Sequence, residues 1–155
     1  MVVNEQNLYV LDNDRGDVII FQYDSENQTH ERHTTFRIKD YKKSEWNTIH
    51  VSMHYIFFAD CISHTIEKYF HDGTYANKLV LEQPCTFPRF CGSDSDDNVL
   101  IADSQNNRFI ALNNAERSRI LKIKDFECPV FGGFVNNTFK VMQYHKKTIV
   151  SFVFH

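Results

Sequence analysis

The most informative part of the sequence is the stretch at residues 99–112, which reads VLIADSQNNRFIAL. An apolar run ends at Asp103, a short polar segment follows, and a second apolar run begins after Arg108. Two short apolar runs joined by about five polar residues are typical of a β-hairpin. The carboxylate of Asp103 can accept hydrogen bonds from amides of the turn, as Asp does in an Asx turn.

The same pattern occurs at three other places in the chain. Asp12, Asp60 and Gln143 take the position of Asp103 in these copies. The residues six and nine positions after the four anchors are always apolar: Val18, Ile66, Phe109 and Ile149, and then Phe21, Tyr69, Leu112 and Phe152. The anchors lie about 40 to 48 residues apart, which is the period of a propeller blade built from four antiparallel strands.

The repeat predicts an all-β protein, a β-propeller segment of about four four-stranded antiparallel blades, which would be a fragment of a larger ring, a diverged small propeller or an open arc. We place the blades at residues 1–44, 45–84, 85–126 and 127–155, with the first and last incomplete. The predicted strands lie near residues 8–12, 18–23, 55–60, 66–70, 98–103, 108–112, 119–124, 139–143 and 148–154. We expect essentially no helix.

Composition limits the function classes. The 155 residues are 42% hydrophobic and 24% charged, as in a single globular domain, and the net charge of −3 argues against a strongly basic nucleic-acid binder. The apolar runs are far shorter than a membrane span and predict no membrane association, and we expect no secretory signal at the start of the sequence. The four cysteines form no Cys-x-x-Cys pair, so we expect reduced thiols in a cytoplasmic protein.

Residues 99–112 closely resemble the NHL repeat, whose core is an apolar pair, Ala-Asp, a small polar turn ending in Arg, and a strand that closes on a large apolar residue. Asp103, Asn107 and Arg108 match it directly, and Pro88 stands where the leading proline is expected. The other copies are weaker.

The second copy matches at Ala59-Asp60, His64, Tyr69-Phe70 and Asp72-Gly73, but Thr65 replaces the Arg. In the first copy Arg15 comes two places early, and in the fourth Gln143 replaces the Asp. The resemblance covers nearly the whole chain, with one close copy. Because NHL propellers usually have six blades, the resemblance implies that this segment is part of a larger, six-bladed ring.

The resemblance implies a non-catalytic binding platform. NHL propellers often end larger proteins that resemble the tripartite-motif ubiquitin ligases or the translational repressor Brat, so this chain would be the recognition end of such a parent. Any catalysis would then belong to other domains, and we expect no cofactor and no metal here. The final apolar strand also fits the C-terminus of a larger parent.

The repeat assigns loops to two faces. The face with the links between blades and the loops between second and third strands balances basic against acidic residues, whereas the other face is strongly acidic. Candidate binding residues lie on the balanced face: Arg15, Lys39, Lys42, Lys43, Trp46, His64, Arg108, Tyr144, His145, Lys146 and Lys147. Its neutrality favours a protein partner. Single-stranded RNA is the alternative, because lysines beside aromatic rings suit phosphates and bases. Each basic cluster could also be a solvated loop, with Trp46 packed inside a blade.

A different class of function is a propeller enzyme of the lactonase or amidating-lyase type, with a metal in the central channel. Such an enzyme needs His and carboxylate ligands on innermost strands. The innermost strands here offer His50, Cys91, Gly92, Gly132 and Gly133, which is a poor ligand set.

The ends of the chain predict self-association if it is expressed as this fragment. Neither terminal blade is complete, so sheet edges would remain open to another chain. We expect one open surface on the flank of the first blade, with Leu8, Val10, Val18 and Ile20 among its residues. The other would lie beside the apolar strand at residues 149–154.

Overall fold

The computed structural model describes residues 1–4, 7–113, 115, 117–122, 127, 129–135, 138–143 and 146–153. Over these residues the regular structure is almost entirely β-strand, and the only helical element is a 3₁₀ turn at Ser104–Asn106. No described helix has the length and apolar character needed to cross a membrane. The chain forms two compact units, Met1–Lys78 and Leu79–His155.

The first unit contains two four-stranded antiparallel sheets, and in each sheet consecutive strands are neighbours. The strands of the first sheet are β1 (Val2–Asn4), β2 (Asn7–Asp12), β3 (Asp17–Asp24) and β4 (Thr29–Arg37). Those of the second sheet are β5 (Thr48–Val51), β6 (Tyr55–Asp60), β7 (Thr65–Phe70) and β8 (Tyr75–Leu79).

The core of the first unit lies between these two sheets. Tyr9, Val18 and Ile20 from the first sheet pack with Ile56 and Phe58 from the second, and all five are buried. Because side chains alternate along a strand, one parity of β2 and β3 faces this core and the other faces outward.

The alternation corrects one prediction. Val18 and Ile20 were expected on the open flank of the first blade, but both are buried in the core. They pair across the strands with Leu11 and Tyr9, which face the same side. The outer flank carries the opposite parity, where Leu8 pairs with Phe21 and both are only partly buried.

The second unit contains a four-stranded sheet and a three-stranded sheet, again with consecutive strands as neighbours. The strands of the third sheet are β9 (Pro88–Ser93), β10 (Val99–Asp103), β11 (Arg108–Leu112) and β12 (Ser118–Leu121). Those of the fourth are β13 (Pro129–Val135), β14 (Thr138–Gln143) and β15 (Thr148–Val153). The core between them includes Leu100, Ala102 and Phe109 from the third sheet and Phe139 and Val141 from the fourth.

The predicted all-β class is confirmed, as is the near absence of helix in the described part of the chain. The hairpin strands agree closely with the predicted ones, apart from the strand predicted at 119–124, which ends at Leu121. Residues 123–126 lie outside the described part. The weakest copy of the repeat also differs in burial: Val18, Ile66 and Phe109 are at most 1% exposed, whereas their counterpart Ile149 is 70% exposed.

Candidate binding surface

Three loops of the first unit lie together at one end of its sheets. They are residues 13–16 between β2 and β3, residues 61–64 between β6 and β7, and residues 38–47 between β4 and β5. The Tyr41 hydroxyl donates to the Asn13 carbonyl at 2.7 Å, and Lys42 Nζ donates to Ser63 Oγ at 2.8 Å. We call these three loops the loop surface.

The anchoring aspartates shape the two hairpin turns. Asp12 Oδ1 accepts hydrogen bonds from the amides of Asp14 at 2.9 Å and Arg15 at 3.1 Å. Asp60 Oδ1 accepts from Ile62 at 2.8 Å and from the next amide, that of Ser63, at 3.0 Å. The Asx-turn role predicted from the repeat is confirmed for these two copies.

Glycine is required at the end of the first turn. Gly16 has φ +75°, and a Cβ there would lie 2.2 Å from Cγ of Tyr41. The ring of Tyr41 therefore packs directly on the turn backbone, and its hydroxyl reaches Asn13. The same backbone fixes the start of the linker, because the Ile38 amide donates to the Gly16 carbonyl at 2.9 Å.

The far end of the linker is held by a buried amide side chain. Asn47 is 3% exposed, and its Oδ1 accepts from the Cys61 amide at 3.0 Å while its Nδ2 donates to the Lys42 carbonyl at 2.8 Å. The Cys61 thiol donates to the Trp46 carbonyl at 2.9 Å. These bonds tie the linker to the turn of the second hairpin, so the exposed side chains stand on a braced backbone.

Two large apolar side chains are exposed on this braced backbone. Trp46 is 48% exposed and Ile62 is 54% exposed. Their backbones are held together, because the Trp46 carbonyl accepts a hydrogen bond from the thiol of Cys61, the residue before Ile62. About half of the surface of Trp46 is exposed, so Trp46 is not packed inside a blade as the alternative interpretation required.

The charged side chains around Trp46 differ in their bonding. Lys43 pairs with Asp14 at 2.6 Å, which raises the pKa of the lysine and lowers that of the carboxyl group. Lys39 Nζ lies 4.9 Å from the centre of the Tyr75 ring. Among the described residues, neither Lys39, Lys42 nor Arg15 forms an ion pair with a carboxylate. The loop surface thus brings together six of the predicted site residues: Arg15, Lys39, Lys42, Lys43, Trp46 and His64.

Arg108 has a different role from the predicted one. It is 7% exposed, and its Nε donates to Oδ2 of the fully buried Asp103 at 2.7 Å. Its other nitrogens donate to the carbonyl of Pro84 at 2.7 Å and to Oε1 of Gln83. Because Asp103 and Arg108 are paired across β10 and β11, the buried carboxylate draws the guanidinium inward. Arg108 is therefore a structural residue and not part of an exposed binding surface.

Only part of the second predicted cluster, residues 144–147, lies within the described residues. Lys146 and Lys147 are exposed in the turn before β15, where Lys147 has φ +51°. Tyr144 and His145 lie outside the described residues. The cluster stays a prediction.

In the described part of the chain, no three His, Cys, Asp or Glu side chains converge as a metal site would require. Burial lowers the pKa of His50 on β5 to about 4 and raises that of the Cys91 thiol on β9 to about 12. Both side chains are therefore neutral near pH 7.

Sequence reasoning missed the contribution of Ile62, Tyr41 and Asn47 to this surface. A run of polar and charged residues at 39–47 gives no sign that two of them would brace the linker from inside. The one local signal was Gly16, since a glycine at the end of a turn marks either positive φ or a close approach.

Neither the protein-family models nor the curated proteins contain a match to the sequence. Solved structures do resemble it. A streptogramin B lyase has 11% identity and a TM-score of 0.67 over 98% of this chain and 52% of its own. A nidogen/laminin complex has 12% identity and a TM-score of 0.68 over 96% and 55%. The virginiamycin B lyase from Staphylococcus aureus has 16% identity and a TM-score of 0.58 over 94% and 54%.

These similarities establish the fold. The chain is a β-propeller segment of antiparallel sheets, and it spans about half the length of the solved structures it resembles. The similar structures include a lyase and a nidogen/laminin complex, so at this level of identity the resemblance carries the fold alone.

Proposed function

We propose that the chain is a non-catalytic binding module whose loop surface captures another protein. The observation that carries the proposal is the exposure of Trp46 on a backbone held from beneath by Asn47 and Cys61. Trp and Arg are enriched among the residues that dominate binding energy at protein interfaces. An aromatic ring presented on a rigid backbone also loses little conformational entropy when it binds.

The charge of the loop surface favours a protein over RNA. Arg15, Lys39, Lys42 and Lys43 are offset there by Asp14, Asp40 and Glu45. Nucleic-acid affinity comes mainly from uncompensated positive charge that neutralises phosphates. A nearly neutral surface with an apolar centre, Trp46 and Ile62, is instead the usual composition of a protein interface with a polar rim.

The likeness of residues 99–112 to the NHL repeat supports a more specific form of the proposal. In that form, the chain is the recognition end of a larger protein similar to a ubiquitin ligase or a translational regulator. The hydrogen bonds of Arg108 give the Arg of the repeat a structural role. Arg108 pairs with Asp103, and the two side chains together connect β10 and β11 to residues 83–86.

The single tryptophan of the chain provides the test. Partners are captured with the intact chain and with the variants Trp46→Ala and Lys42→Glu, and each candidate is then titrated against the purified chain. A direct partner shifts the emission of Trp46 to shorter wavelength as the ring leaves water. The Trp46→Ala variant no longer captures that partner. The matched control is Tyr23→Ala, since Tyr23 is similarly exposed, at 40%, but lies on β3 outside the loop surface.

Two results would contradict the proposal. One is a set of partners that depends on Tyr23 as much as on Trp46. The other is tight binding of a single-stranded RNA probe that falls steeply with rising salt and needs Lys39 and Lys42, because that result would place RNA on the loop surface.

A further inference from the structure

A groove crosses the third sheet in the second unit. It has a volume of about 420 Å³ and runs over the neighbouring ends of β10, β11 and β12. Two rows of paired residues form it: Val99, Leu112 and Ser118 in one row, and Leu100, Ala111 and Arg119 in the next. None of its lining residues belongs to the loop surface.

The floor of the groove is apolar. Leu100 is 4% exposed, and Ala111, its partner across β10 and β11, is partly buried against the core of the unit. Grooves of a few hundred Å³ with apolar walls and a few converging polar groups are the usual form of small-molecule sites. The floor therefore suits the apolar body of a small ligand.

The rim of the groove carries two arginines. Arg117 and Arg119 are exposed, and among the described residues neither guanidinium has a hydrogen bond or an ion pair. Arg119 lies on β12, an edge strand of the sheet, and Arg117 lies in the turn that leads into it, where its amide donates to Oδ1 of Asn113 at 2.8 Å. Both arginines line the groove, so both side chains can reach one ligand there.

One carboxylate also lines the groove, but it is engaged by its own loop. Asp94 Oδ1 accepts hydrogen bonds from the amides of Asp96 at 3.0 Å and Asn98 at 2.9 Å. Its Oδ2 accepts from Nδ2 of Asn98 at 2.8 Å. Asp94 thus closes the turn between β9 and β10, and with this one carboxylate against Arg117 and Arg119 the described lining of the groove keeps a net positive charge.

We propose that this groove binds a small organic anion with an apolar body, of the class of a medium-chain carboxylate. The chain of the ligand would lie over Leu100 and Ala111, and its carboxylate would meet Arg117 and Arg119. Arginine presents a planar set of donors that matches a carboxylate, and hydrogen bonds between charged groups are the strong ones. An apolar molecule without the anion, or one with a cation, would leave the arginines without a counterion.

The test uses the full 155-residue chain and octanoate as the probe, with octanol and octylammonium as probes of the same chain length. Binding is followed by NMR of the methyl groups. We expect saturable shifts at Leu100, Ala111 and Leu112 with octanoate, at least about tenfold weaker binding of octanol, and no saturation with octylammonium. Equal binding of octanoate and octanol would overturn the proposal, as would the absence of saturable shifts with octanoate.

Variants of the arginines test the site itself. Arg117→Gln with Arg119→Gln should weaken octanoate binding by about tenfold or more while leaving octanol binding unchanged. The control is Arg32→Gln, which removes an exposed arginine of β4 outside both the groove and the loop surface and should leave both affinities unchanged. Both positions of the double variant are exposed, so an unchanged thermal unfolding midpoint is expected and confirms that the variant is folded. Undiminished octanoate binding by the folded double variant would exclude the arginines as its receptor.

Discussion

The first and second units use the anchoring aspartate of the repeat in different ways. Asp12 and Asp60 in the first unit accept hydrogen bonds from amides of their own turns. Asp103 in the second unit accepts instead from Arg108 Nε, from Nδ2 of Asn106, and from the amide of Thr86, which precedes the sheet. Its turn is a 3₁₀ turn that receives no cap from the aspartate side chain.

The residue paired across the hairpin accounts for the difference. Asp103 faces Arg108, whereas Asp60 faces Thr65 and Asp12 faces Asp17. Without a cation opposite, the carboxylate accepts from the amides of its own turn and closes it. With a buried guanidinium opposite, the ion pair takes precedence, because both charges must find partners once they leave water. One sequence motif therefore produces a local turn in one unit and a longer-range clamp in the other.

The largest effect should come from breaking the clamp. Asp103→Ala leaves the Arg108 charge buried without its counterion, and we expect a loss of about 3 to 5 kcal/mol in the free energy of unfolding. Urea unfolding followed by circular dichroism measures it. The control Asp96→Ala removes an exposed carboxylate and should change stability by less than about 0.5 kcal/mol.

A double variant sharpens this result. Asp103→Leu combined with Arg108→Met replaces the buried pair by apolar side chains, and such replacements are often neutral or stabilising. We expect the double variant to recover most of the stability lost in Asp103→Ala. If Asp103→Ala costs no more than its control, the clamp is not what distinguishes the second unit.

Lowering the pH should destabilise the first unit more than the second. The native pKa of His50 is lowered to about 4 by burial, against about 6.5 for an unperturbed histidine. Between these values the unfolded chain binds a proton that the folded chain does not, so stability falls as the pH is lowered from about 6.5 to 4, by about 3 kcal/mol in all. The described residues of the second unit include no histidine, and Cys91 remains a thiol across this range because burial raises its pKa to about 12.

Hydrogen exchange at about pH 6.5 and about pH 4, corrected for intrinsic rates, tests whether the two units differ in their response to acid. Amides of the first unit should lose protection on acidification, and amides of the second should keep it. His50→Gln should remove the pH dependence of the first unit. Equal loss of protection in both units would show that His50 is not its source.

The elements of the fold that depend on local pattern were predictable. Two short apolar runs at residues 99–103 and 108–112, with a polar turn between them, define the hairpin without reference to the rest of the chain. The face of the first sheet that packs inward was not predictable from the sequence. Alternation groups Val18 with Ile20 but does not say which side the second sheet covers. The burial of Arg108 depends in addition on the position of Gln83 and Pro84, about 25 residues earlier. The loop surface was partly predictable, because charge and aromatic content are visible in the sequence, but the exposure of Ile62 follows from contacts between separate loops.

A smaller effect is expected at the second anchor. Asp60 is 5% exposed, and its removal leaves the amides of Ile62 and Ser63 without their acceptor. Asp60→Ala should cost about 1 to 2 kcal/mol, because poorly hydrated donors lose a hydrogen bond but no buried charge is left alone. Urea unfolding should place its midpoint between those of the parent and Asp103→Ala. Asp60→Asn is the matched control, since its amide oxygen can still accept, and it should recover part of the loss.

The smallest effect should occur at Asp12, where the turn has the same geometry but lies in solvent. The amides of Asp14 and Arg15 that bond to Asp12 are exposed, so water can replace the carboxylate as their acceptor. The turn also keeps its backbone bond from the Gly16 amide to the Asp12 carbonyl at 2.7 Å, and Tyr41 still packs against it. We therefore expect Asp12→Ala to cost at most about 0.5 to 1 kcal/mol in urea unfolding. The order Asp103, Asp60, Asp12 then follows the burial of the groups each carboxylate satisfies, although the repeat gives all three the same position. A cost at Asp12 equal to that at Asp103 would mean that the shared position in the motif, and not the residue opposite or the burial around it, sets the energy of the anchor.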